Sequence, residues 1–298
     1  MHTDIAIIGG GPAGLQAALT IGRIHRDVVL FDDGTYRNAT VSHMHNVVAN
    51  DGTPPEEFRA LARKQLAAYD TVSVREERVE EIEEVDGTFR LRLADGSTLI
   101  AHAVVLATGV RDTLPPVPGL DDLWGDLVAH CPFCHGHELS GQRIGILGGA
   151  IAPHLSAMLE RIASELVVFT DGDELPEEWD ARPEVRTGRV TSVARHDGGV
   201  RVTLEGPDGE VRHEQVAGLF VKPAMTQAAP FAEQLGLELN PSGCVRVDEF
   251  GRTSRPGIFA GGDLAHLPAY PMPMATVTMA AAAGQLAASG AIMAVMAH

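Results

Sequence analysis

Cysteine is scarce in this sequence, and so is positive charge. Three cysteines occur among 298 residues, and two of them share one Cys-x-x-Cys segment. A secreted domain held together by disulfides would carry more cysteines, spread along its length. Lys and Arg number 23 against 40 Asp and Glu, which gives a formal net charge of −17. Because nucleic acids and anionic membranes bind basic surfaces, this charge argues against both as partners.

Basic residues are missing from both ends of the chain. Residues 1–4 run straight into a strand pattern without the basic n-region of a signal peptide, so we expect a cytoplasmic protein. Residues 274–297 carry no charge and are long enough to span a bilayer. Alanine, glycine, threonine and methionine dominate this stretch and leucine is scarce, which favours a helix packed within the protein or covered by another subunit.

The chain contains two similar strand–turn–helix–strand patterns. Residues 4–31 and 143–169 each begin with a short apolar run, pass through a glycine turn into a helix, and end in a second apolar run. Residues 72–106 predict further strands, with turns at Asp86-Gly87 and Asp95-Gly96. The pattern predicts an α/β fold with two Rossmann-like, three-layer dinucleotide-binding domains.

The domain boundaries are predicted from changes in composition. The proline-rich segment 114–119 is interpreted as a hinge linker, and Pro241-Ser242-Gly243 marks the end of the second unit. We therefore expect the second domain, residues 114–243, to be inserted in the first, residues 1–113 and 244–298.

The first glycine turn has the spacing of a dinucleotide-binding fingerprint. Gly9, Gly11 and Gly14 follow a strand and open a helix. The backbone can then approach a pyrophosphate, and the helix N-terminus faces its charge. Asp32 ends the next strand, 18 residues after Gly14, where it can accept a hydrogen bond from a ribose hydroxyl. Strand, turn, helix and acid in this order are far more specific than glycine spacing alone.

Two later turns predict contacts with the same ligand. Gly261-Gly262-Asp263 follows a strand and precedes the apolar C-terminal helix. Its carboxylate can accept hydrogen bonds from a ribityl chain or lie near phosphates. Ala107-Thr108-Gly109 ends a buried strand in a similar way. Together with the fingerprint, these turns would enclose a long dinucleotide.

Cys131-Pro132-Phe133-Cys134 is the predicted redox centre. Two cysteines one helical turn apart can close a disulfide, and a place at a helix start lowers the pKa of a thiol. His130, His135 and His137 lie close in sequence, so imidazoles are available to take or give a thiol proton. Zinc is the alternative, but no second Cys-x-x-Cys exists, and no metal is predicted. Cys244 stands alone and is interpreted as structural.

The order of these motifs resembles that of low-molecular-weight thioredoxin reductases over essentially the whole chain. Residues 131–138, Cys-Pro-Phe-Cys-His-Gly-His-Glu, are similar to the CxFCHGxE segment of FAD-dependent dithiol oxidases of the gliotoxin and holomycin type. Those enzymes close disulfides in small natural products. Asp33-Gly34-Thr35-Tyr36-Arg37-Asn38 fits the same branch. Typical thioredoxin reductases carry an acidic residue where His135 stands.

The resemblance implies FAD as the cofactor and a homodimer as the assembly. Cys134 would face the flavin, and Cys131 would exchange with the substrate. His130 and His135 would be the acid–base candidates, without a choice between them. The residues expected to contact the cofactor are Gly9, Gly11, Pro12, Ala13, Gly14, Asp32, Asn46, Ala107, Thr108, Gly109, Gly262, Asp263 and Ala275.

Side chains for a substrate pocket are suggested by residue type. Met272 and Met274 precede the last helix, and methionines adapt to irregular apolar partners. His43 and His45 are further candidates. For the methionine segment, a loop packed in the core is the alternative.

The second glycine turn departs from the family pattern. Ala150 replaces a glycine, so its methyl group would intrude on a pyrophosphate, and Pro153 removes a donor near the helix start. Asp171, Asp173 and Glu174 stand where the family's NADPH readers have arginines, and they would repel a 2′-phosphate. We expect a loss on the order of a hundredfold or more in NADPH affinity. NADPH is therefore not the expected electron donor.

These observations predict a FAD-dependent dithiol oxidase. A small-molecule dithiol would reduce the Cys131–Cys134 disulfide, Cys134 would pass the electrons to FAD, and O2 would take them up as H2O2. One alternative is a thioredoxin reductase-like disulfide reductase with an atypical electron donor. The non-enzymatic alternative is a flavin-bearing redox sensor.

Overall fold

The computed structural model describes residues 2–180, 182–206 and 208–297. Its strands, in chain order, are β1 (His2–Ile8), β2 (Val28–Phe31), β3 (Val72–Arg75), β4 (Val79–Val85), β5 (Thr88–Leu93), β6 (Thr98–Leu106), β7 (Val110–Thr113), β8 (Val128–Ala129), β9 (Arg143–Leu147), β10 (Glu165–Phe169), β11 (Glu184–Arg186), β12 (Arg189–His196), β13 (Gly199–Glu205), β14 (Val211–Val216), β15 (Gly218–Val221), β16 (Ala224–Gln227), β17 (Val245–Arg246), β18 (Ile258–Ala260) and β19 (Ala265–His266). Its helices are α1 (Pro12–Gly22), α2 (Pro55–Leu66), α3 (Leu120–Leu123), α4 (Pro132–His135), α5 (Ala152–Leu159), α6 (Phe231–Gln234) and α7 (Val277–Met296), with a 3-10 helix at His137–Leu139.

The chain divides into two compact units, and the second interrupts the first twice. The first unit contains Met1–Ala39, Glu56–Arg111 and Met225–His298, and the second contains Thr40–Pro55 and Asp112–Ala224. Two boundaries therefore differ from those expected: residues 40–55 group with the second unit, and residues 225–243 with the first. The segment around α6 accounts for the latter difference, because Phe231 in α6 and Leu235 and Leu237 just after it are buried in the core of the first unit.

The first unit is built on a seven-stranded sheet in the order β3-β2-β1-β6-β5-β4, with β18 also paired to β6. β1 lies parallel between β2 and β6, where Ile7 is opposite both Leu30 and Val105. α1 and α7 pack on one face of this sheet. Apolar runs fill β1 and β6 because both faces of the parallel strands are covered. In the antiparallel strand β5, buried and more exposed residues alternate, and Phe89 and Leu91 point to the core.

The second unit repeats the pattern with a five-stranded parallel sheet in the order β11-β10-β9-β15-β8. Central strand β9 buries Ile144 and Ile146, and α5 packs on them through Leu155 and Leu159. The antiparallel sheet β12-β13-β14 contributes to a second core cluster. The predicted α/β fold with two Rossmann-like domains is confirmed.

The proline-rich segment 114–119 is not a free linker over its second half. Val117 is buried in the core of the second unit. The carbonyl oxygen of Pro118 accepts a hydrogen bond from the Val193 amide at 2.9 Å. Gly119 has φ +91°, and a Cβ there would lie 2.0 Å from the Val193 carbonyl oxygen. The second half of the segment therefore forms a turn packed against β12, and its role as a hinge stays a prediction.

Helix α7 is, among the helices that the structure describes, the one long and apolar enough to cross a membrane. One face is packed: Ala287 is fully buried, and a Cβ on Gly284 would lie 2.0 Å from the carbonyl oxygen of Ala13 in α1. The opposite face exposes apolar side chains, including Leu286 and Met293. The predicted packed helix is therefore packed on one side only.

Candidate functional site

The fingerprint forms the tight connection between β1 and α1. Gly9 has φ +116°, and a Cβ there would lie 2.2 Å from the carbonyl oxygen of Ala107. A Cβ on Gly14 would lie 1.8 Å from the carbonyl oxygen of Gly9. Internal packing therefore requires glycine at both positions. It also brings the predicted 107–109 turn against the fingerprint.

Gly11 is different, because a Cβ there would meet no atom within 4 Å. α1 begins at the next residue, Pro12. The first amides of a helix have no partner inside the helix, and they attract an anion. The predicted Gly261-Gly262-Asp263 turn also approaches this point, since a Cβ on Gly262 would lie 2.9 Å from the Ala13 Cβ. Open space beside unpaired helix amides fits the pyrophosphate of a dinucleotide.

Asp32 lies immediately after β2 and is only 2% exposed. Its carboxylate accepts hydrogen bonds from the Tyr36 hydroxyl at 2.7 Å and the Gly34 amide at 3.0 Å, and it forms an ion pair with Arg63. Burial, with the Asp32 carboxylate beside it, raises the pKa of Tyr36 to about 12. The sequence predicted Asp32 but not Arg63, because an arginine on a polar helix carries no specific signal.

Asp263, the second predicted acid, is held by Arg37. Arg37 Nη1 lies 2.9 Å from Asp263 Oδ2, and Arg37 Nη2 also contacts the Met225 sulfur at 3.6 Å. Consecutive side chains thus secure the two acids, Tyr36 at Asp32 and Arg37 at Asp263. The 33–38 segment, recognised in the sequence only by resemblance, therefore supplies partners for both acids of the candidate dinucleotide site.

Two predicted cofactor contacts belong to segments other than the fingerprint and the turns that pack on it. Asn46 belongs to the loop grouped with the second unit, where its amide donates to the Asp51 carboxylate at 2.7 Å. The structure therefore does not group Asn46 with Gly9–Gly14. Ala275 lies just before α7, whose N-cap Thr276 accepts a hydrogen bond from the Met279 amide.

Cys131 and Cys134 form a disulfide, with their Cα atoms 5.3 Å apart. Cys131 caps the N-terminus of α4, as the sequence predicted, and its carbonyl oxygen accepts hydrogen bonds from the amides of Cys134 and His135 at 3.0 and 3.2 Å. Gly136 closes the turn, and a Cβ there would lie 2.5 Å from the carbonyl oxygen of Pro132. The Cys-x-x-Cys-His-Gly spacing is thus set by one tight turn.

The flanking histidines occupy different environments. His130 stacks on Trp124, with ring centroids 5.7 Å apart. His135 Nε2 lies 3.4 Å from the Gly125 carbonyl oxygen, whereas Nδ1 is buried without a hydrogen-bond partner among the described residues. Burial lowers the pKa of His135 below its ordinary value of 6.5. His137 is exposed. His135 therefore offers a neutral imidazole with an unused nitrogen, which fits a proton acceptor.

The second glycine turn, after β9, binds a carboxylate of its own chain. The Gly149 amide donates to Asp173 Oδ2 at 3.3 Å, and a Cβ on Gly149 would lie 2.8 Å from the Glu174 carbonyl oxygen. Asp171 accepts a hydrogen bond from the Val190 amide at 2.7 Å. The Asp173 carboxylate therefore occupies the Gly149 amide, a backbone donor that would otherwise be available to a ligand phosphate.

A cavity of about 320 Å³ adjoins this turn within the second unit. Its lining residues are Pro115, Leu147, Gly148, Ala150, Ile151, Asp171, Asp173, Val221 and Lys222. Among these described residues Lys222 is the only cation, against two carboxylates. Arg186, on neighbouring β11, is bound by Glu214 at 2.5 Å and Glu184 at 2.9 Å. The described lining thus contains no arginine for a 2′-phosphate, and the guanidinium of nearby Arg186 is already paired with two acids.

The remaining candidates are settled by burial. Cys244 is buried, as predicted for a structural cysteine, and burial raises the pKa of its thiol. Met272 and Met274 are exposed, so the core-packing alternative for their segment is wrong. Across residues 2–180, 182–206 and 208–297, no cluster of three His, Cys, Asp or Glu side chains is placed to hold a metal ion.

Comparisons with known proteins agree with this geometry. Residues 3–284 match the family described as pyridine nucleotide-disulphide oxidoreductase. Thioredoxin reductase aclD of Aspergillus oryzae is 35% identical, over 97% of this chain and 95% of its own. Among solved structures, an oxidoreductase from Agrobacterium tumefaciens has a TM-score of 0.89 at 35% identity and covers 99% of both chains. HlmI has a TM-score of 0.86 at 32% identity, over 99% of this chain and 93% of its own. These matches are consistent with the branch that the motifs resemble.

Proposed function

Because the chain belongs to the pyridine nucleotide-disulphide oxidoreductase family, we propose that it is a FAD-dependent dithiol oxidase, which closes a disulfide in a small-molecule dithiol through Cys131 and Cys134. The observation that supports this direction of electron flow is the hydrogen bond from the Gly149 amide to Asp173. A reductase needs a pyridine nucleotide at the second turn, and an acid bound there disfavours one. The dithiol then becomes the electron source.

The first unit fits FAD in three respects. Space is open at Gly11, unpaired helix amides lie beside it, and Asp32 and Asp263 are held as acceptors by protein donors. A bound flavin supplies a two-electron acceptor for the reduced cysteine pair and a site for reoxidation by O2, which yields H2O2.

The cysteine pair performs two exchange steps. A substrate thiolate attacks the Cys131 sulfur, which breaks the enzyme disulfide and releases Cys134 as a thiolate. The second substrate thiolate attacks the substrate sulfur of the mixed disulfide and releases the Cys131 thiolate with the closed product. Two substrate thiols lose their protons, and two electrons remain on the pair. His135, neutral because burial lowers its pKa, follows Cys134 directly in α4 and accepts a thiol proton.

Anaerobic mixing of the flavin-loaded protein with dithiothreitol tests the proposal. The dithiol should bleach the flavin absorbance, and air should restore it with release of H2O2. Cys131→Ser is the control and should leave the flavin oxidised. Rapid bleaching by NADPH, or no bleaching by the dithiol, would overturn the proposal.

A disulfide reductase with an atypical electron donor is the second candidate. The cavity of about 320 Å³ beside the second turn favours it, because a nucleotide of unusual structure would have room there. Sustained turnover with dithiol and O2, without any nucleotide, separates the oxidase from this reductase.

A further inference from the structure

The turn 262–264, which carries Asp263, is held by donors from other segments of the first unit. The Leu264 carbonyl oxygen accepts hydrogen bonds from the Val245 amide at 2.8 Å and from Gln227 Nε2 at 3.0 Å. Leu264 is buried, and a buried carbonyl oxygen requires such partners because water cannot replace them. The backbone at Asp263 is therefore placed by contacts from outside its own turn.

Gln227 connects this turn to a second one. Its Nε2 atom also lies 3.1 Å from the Gly243 carbonyl oxygen. Both partners are carbonyl oxygens, which only accept, so the atom that faces them is the amide nitrogen and each of its two hydrogens has an acceptor. Glutamate has nearly the same shape but no donor. The bridge therefore requires the amide of Gln227 and not only a side chain of its size.

The second turn, residues 240–244, is a fixed support for the bridge. The Gly243 amide donates to the Asn240 carbonyl oxygen at 2.9 Å. Asn240 Nδ2 donates to the His266 carbonyl oxygen at 2.9 Å, and Ser242 Oγ lies 2.7 Å from His266 Nε2. Asn240 and His266 are both buried. Because the turn is tied twice to His266, the Gly243 carbonyl oxygen has little freedom to follow Gln227 if the bridge moves.

Strand β16 supports Asp263 in a second way. Burial alternates along this strand, so Met225 and Gln227, two positions apart, lie on its more buried face. The Met225 sulfur accepts a contact from Arg37 Nη2 at 3.6 Å, while Arg37 Nη1 binds Asp263 Oδ2 at 2.9 Å. One short strand thus contacts both the backbone that carries Asp263 and the arginine that holds its carboxylate.

We propose that Gln227 is a positioning residue for FAD binding, because its amide fixes the turn on which Asp263 stands. Arg37 fixes the Asp263 carboxylate, and Gln227 fixes the backbone beneath it. An acceptor held in place before binding saves the ligand the cost of ordering it. Gln227 acts through Asp263 and takes no part in the cysteine chemistry. The inference rests on the proposed function only for its cofactor.

The test compares Gln227→Glu and Gln227→Leu with Gln234→Glu. Gln234 is a matched control, because it is exposed in the same unit and its Nε2 also donates to a backbone carbonyl oxygen, that of Glu80, at 3.0 Å. Flavin-loaded proteins are diluted in series, and release of FAD is followed by its fluorescence, which gives Kd. Gln227→Leu adds no charge and decides the matter if Gln227→Glu does not fold.

We expect Kd for FAD to rise about tenfold in Gln227→Leu and about 10- to 100-fold in Gln227→Glu, which also places a negative charge beside two carbonyl oxygens. Gln234→Glu should match the wild type within about twofold. A double-mutant cycle with Arg37→Gln shows whether Gln227 acts through Asp263. Its combined loss with Gln227→Leu should be smaller than the product of the single losses, by about threefold or more.

Three results would overturn the positioning role. They are an unchanged Kd in Gln227→Leu, an equal loss in Gln234→Glu, and losses that multiply in the cycle, since a general loss of structure would weaken binding equally with or without Arg37. The proposed function fails separately. Wild-type protein that retains FAD but is not bleached by dithiothreitol would refute the oxidase and leave the Gln227 measurements valid, whereas wild-type protein that binds no FAD would refute both.

Discussion

Arg37 and Asp263, 226 positions apart in the sequence, form an ion pair with 2.9 Å between Nη1 and Oδ2. Their side chains are 16% and 20% exposed, so the pair is largely shielded from solvent. The arginine follows Tyr36, whose hydroxyl holds Asp32. Both acids of the candidate dinucleotide site are therefore held by side chains of the protein itself.

Arg37→Gln should weaken FAD binding. Loss of a charge-assisted hydrogen bond to a mostly buried acid costs about 1.5–3 kcal/mol, or roughly 10- to 100-fold in Kd. Titration of flavin-free protein with FAD, followed by flavin fluorescence, measures the change. Arg23→Gln is the control, since Arg23 is exposed and its guanidinium donates to the Tyr69 hydroxyl at 3.2 Å, away from both acids. Equal affinity of Arg37→Gln and wild type would contradict the prediction.

The rate of flavin reduction should fall at low pH, where His135 loses its neutral, basic form. Because burial lowers the pKa of His135 below 6.5, the neutral imidazole persists to lower pH than an ordinary histidine. The acid limb of the pH–rate profile should therefore lie below pH 6.5, and His135→Gln should remove it and slow reduction by about 100-fold or more. Anaerobic stopped-flow measurements with dithiothreitol provide the profile.

His130→Gln is the comparison that distinguishes the two flanking histidines. If His130→Gln, and not His135→Gln, removes the acid limb of the profile, the assignment to His135 is wrong.

The lowered pKa of His135 also affects the stability of the fold. The unfolded chain binds the His135 proton more readily, so the stability from this group is present above pH 6.5 and is lost as the pH falls towards the folded pKa.

Asp173→Ala should make the second turn more receptive to anions. The substitution frees the Gly149 amide and removes one negative charge from the cavity wall. We expect affinity for ADP to rise about tenfold, the equivalent of one regained hydrogen bond of ~1.4 kcal/mol. Calorimetric titration measures it. Glu178→Ala is the control, because Glu178 is an exposed acid in the same segment. A similar gain in ADP affinity in that variant would show that the effect comes from net charge alone.

The exposed apolar face of α7 should mediate the homodimer that the family resemblance predicts. Leu286 and Met293 lie on this face with about half of each side chain accessible. A charge buried in an apolar interface costs several kcal/mol, so Leu286→Glu should weaken dimerisation by roughly 100-fold or more. Size-exclusion chromatography with light scattering gives the molar mass. Gln285→Glu is the control, because it adds the same charge at an exposed polar neighbour. If both variants are monomeric, or if both remain dimeric, Leu286 does not have the predicted role.

Local turn chemistry made much of the fold predictable. Gly9 and Gly14 could be placed because a strand, a glycine turn and a helix in sequence leave few conformations for the residues between them. The same local signal was ambiguous at 114–119, where prolines suit a linker and a packed turn equally. Contact of Val117 and Gly119 with β12, some 70 residues further on, decides between them.

Long-range partners account for what the sequence did not predict in the site. Asp32 was predicted from its place after β2, but Arg63 arrives from a separate helix, and Arg37 meets Asp263 only in the folded chain. His45 was a candidate by residue type alone. Its contact with Glu138 depends on how the loop 44–53 packs, which no spacing rule describes.

The second unit is discontinuous, and this limits how the protein can be divided. A fragment covering 112–224 would keep Cys131, Cys134 and His135 but would lack Thr40–Pro55, and with it His45. Gly125 would also lose its neighbour Thr40, whose side chain lies against it. Transplanting the disulfide centre into another scaffold therefore requires two stretches of chain, and cutting at the proline-rich segment would separate them.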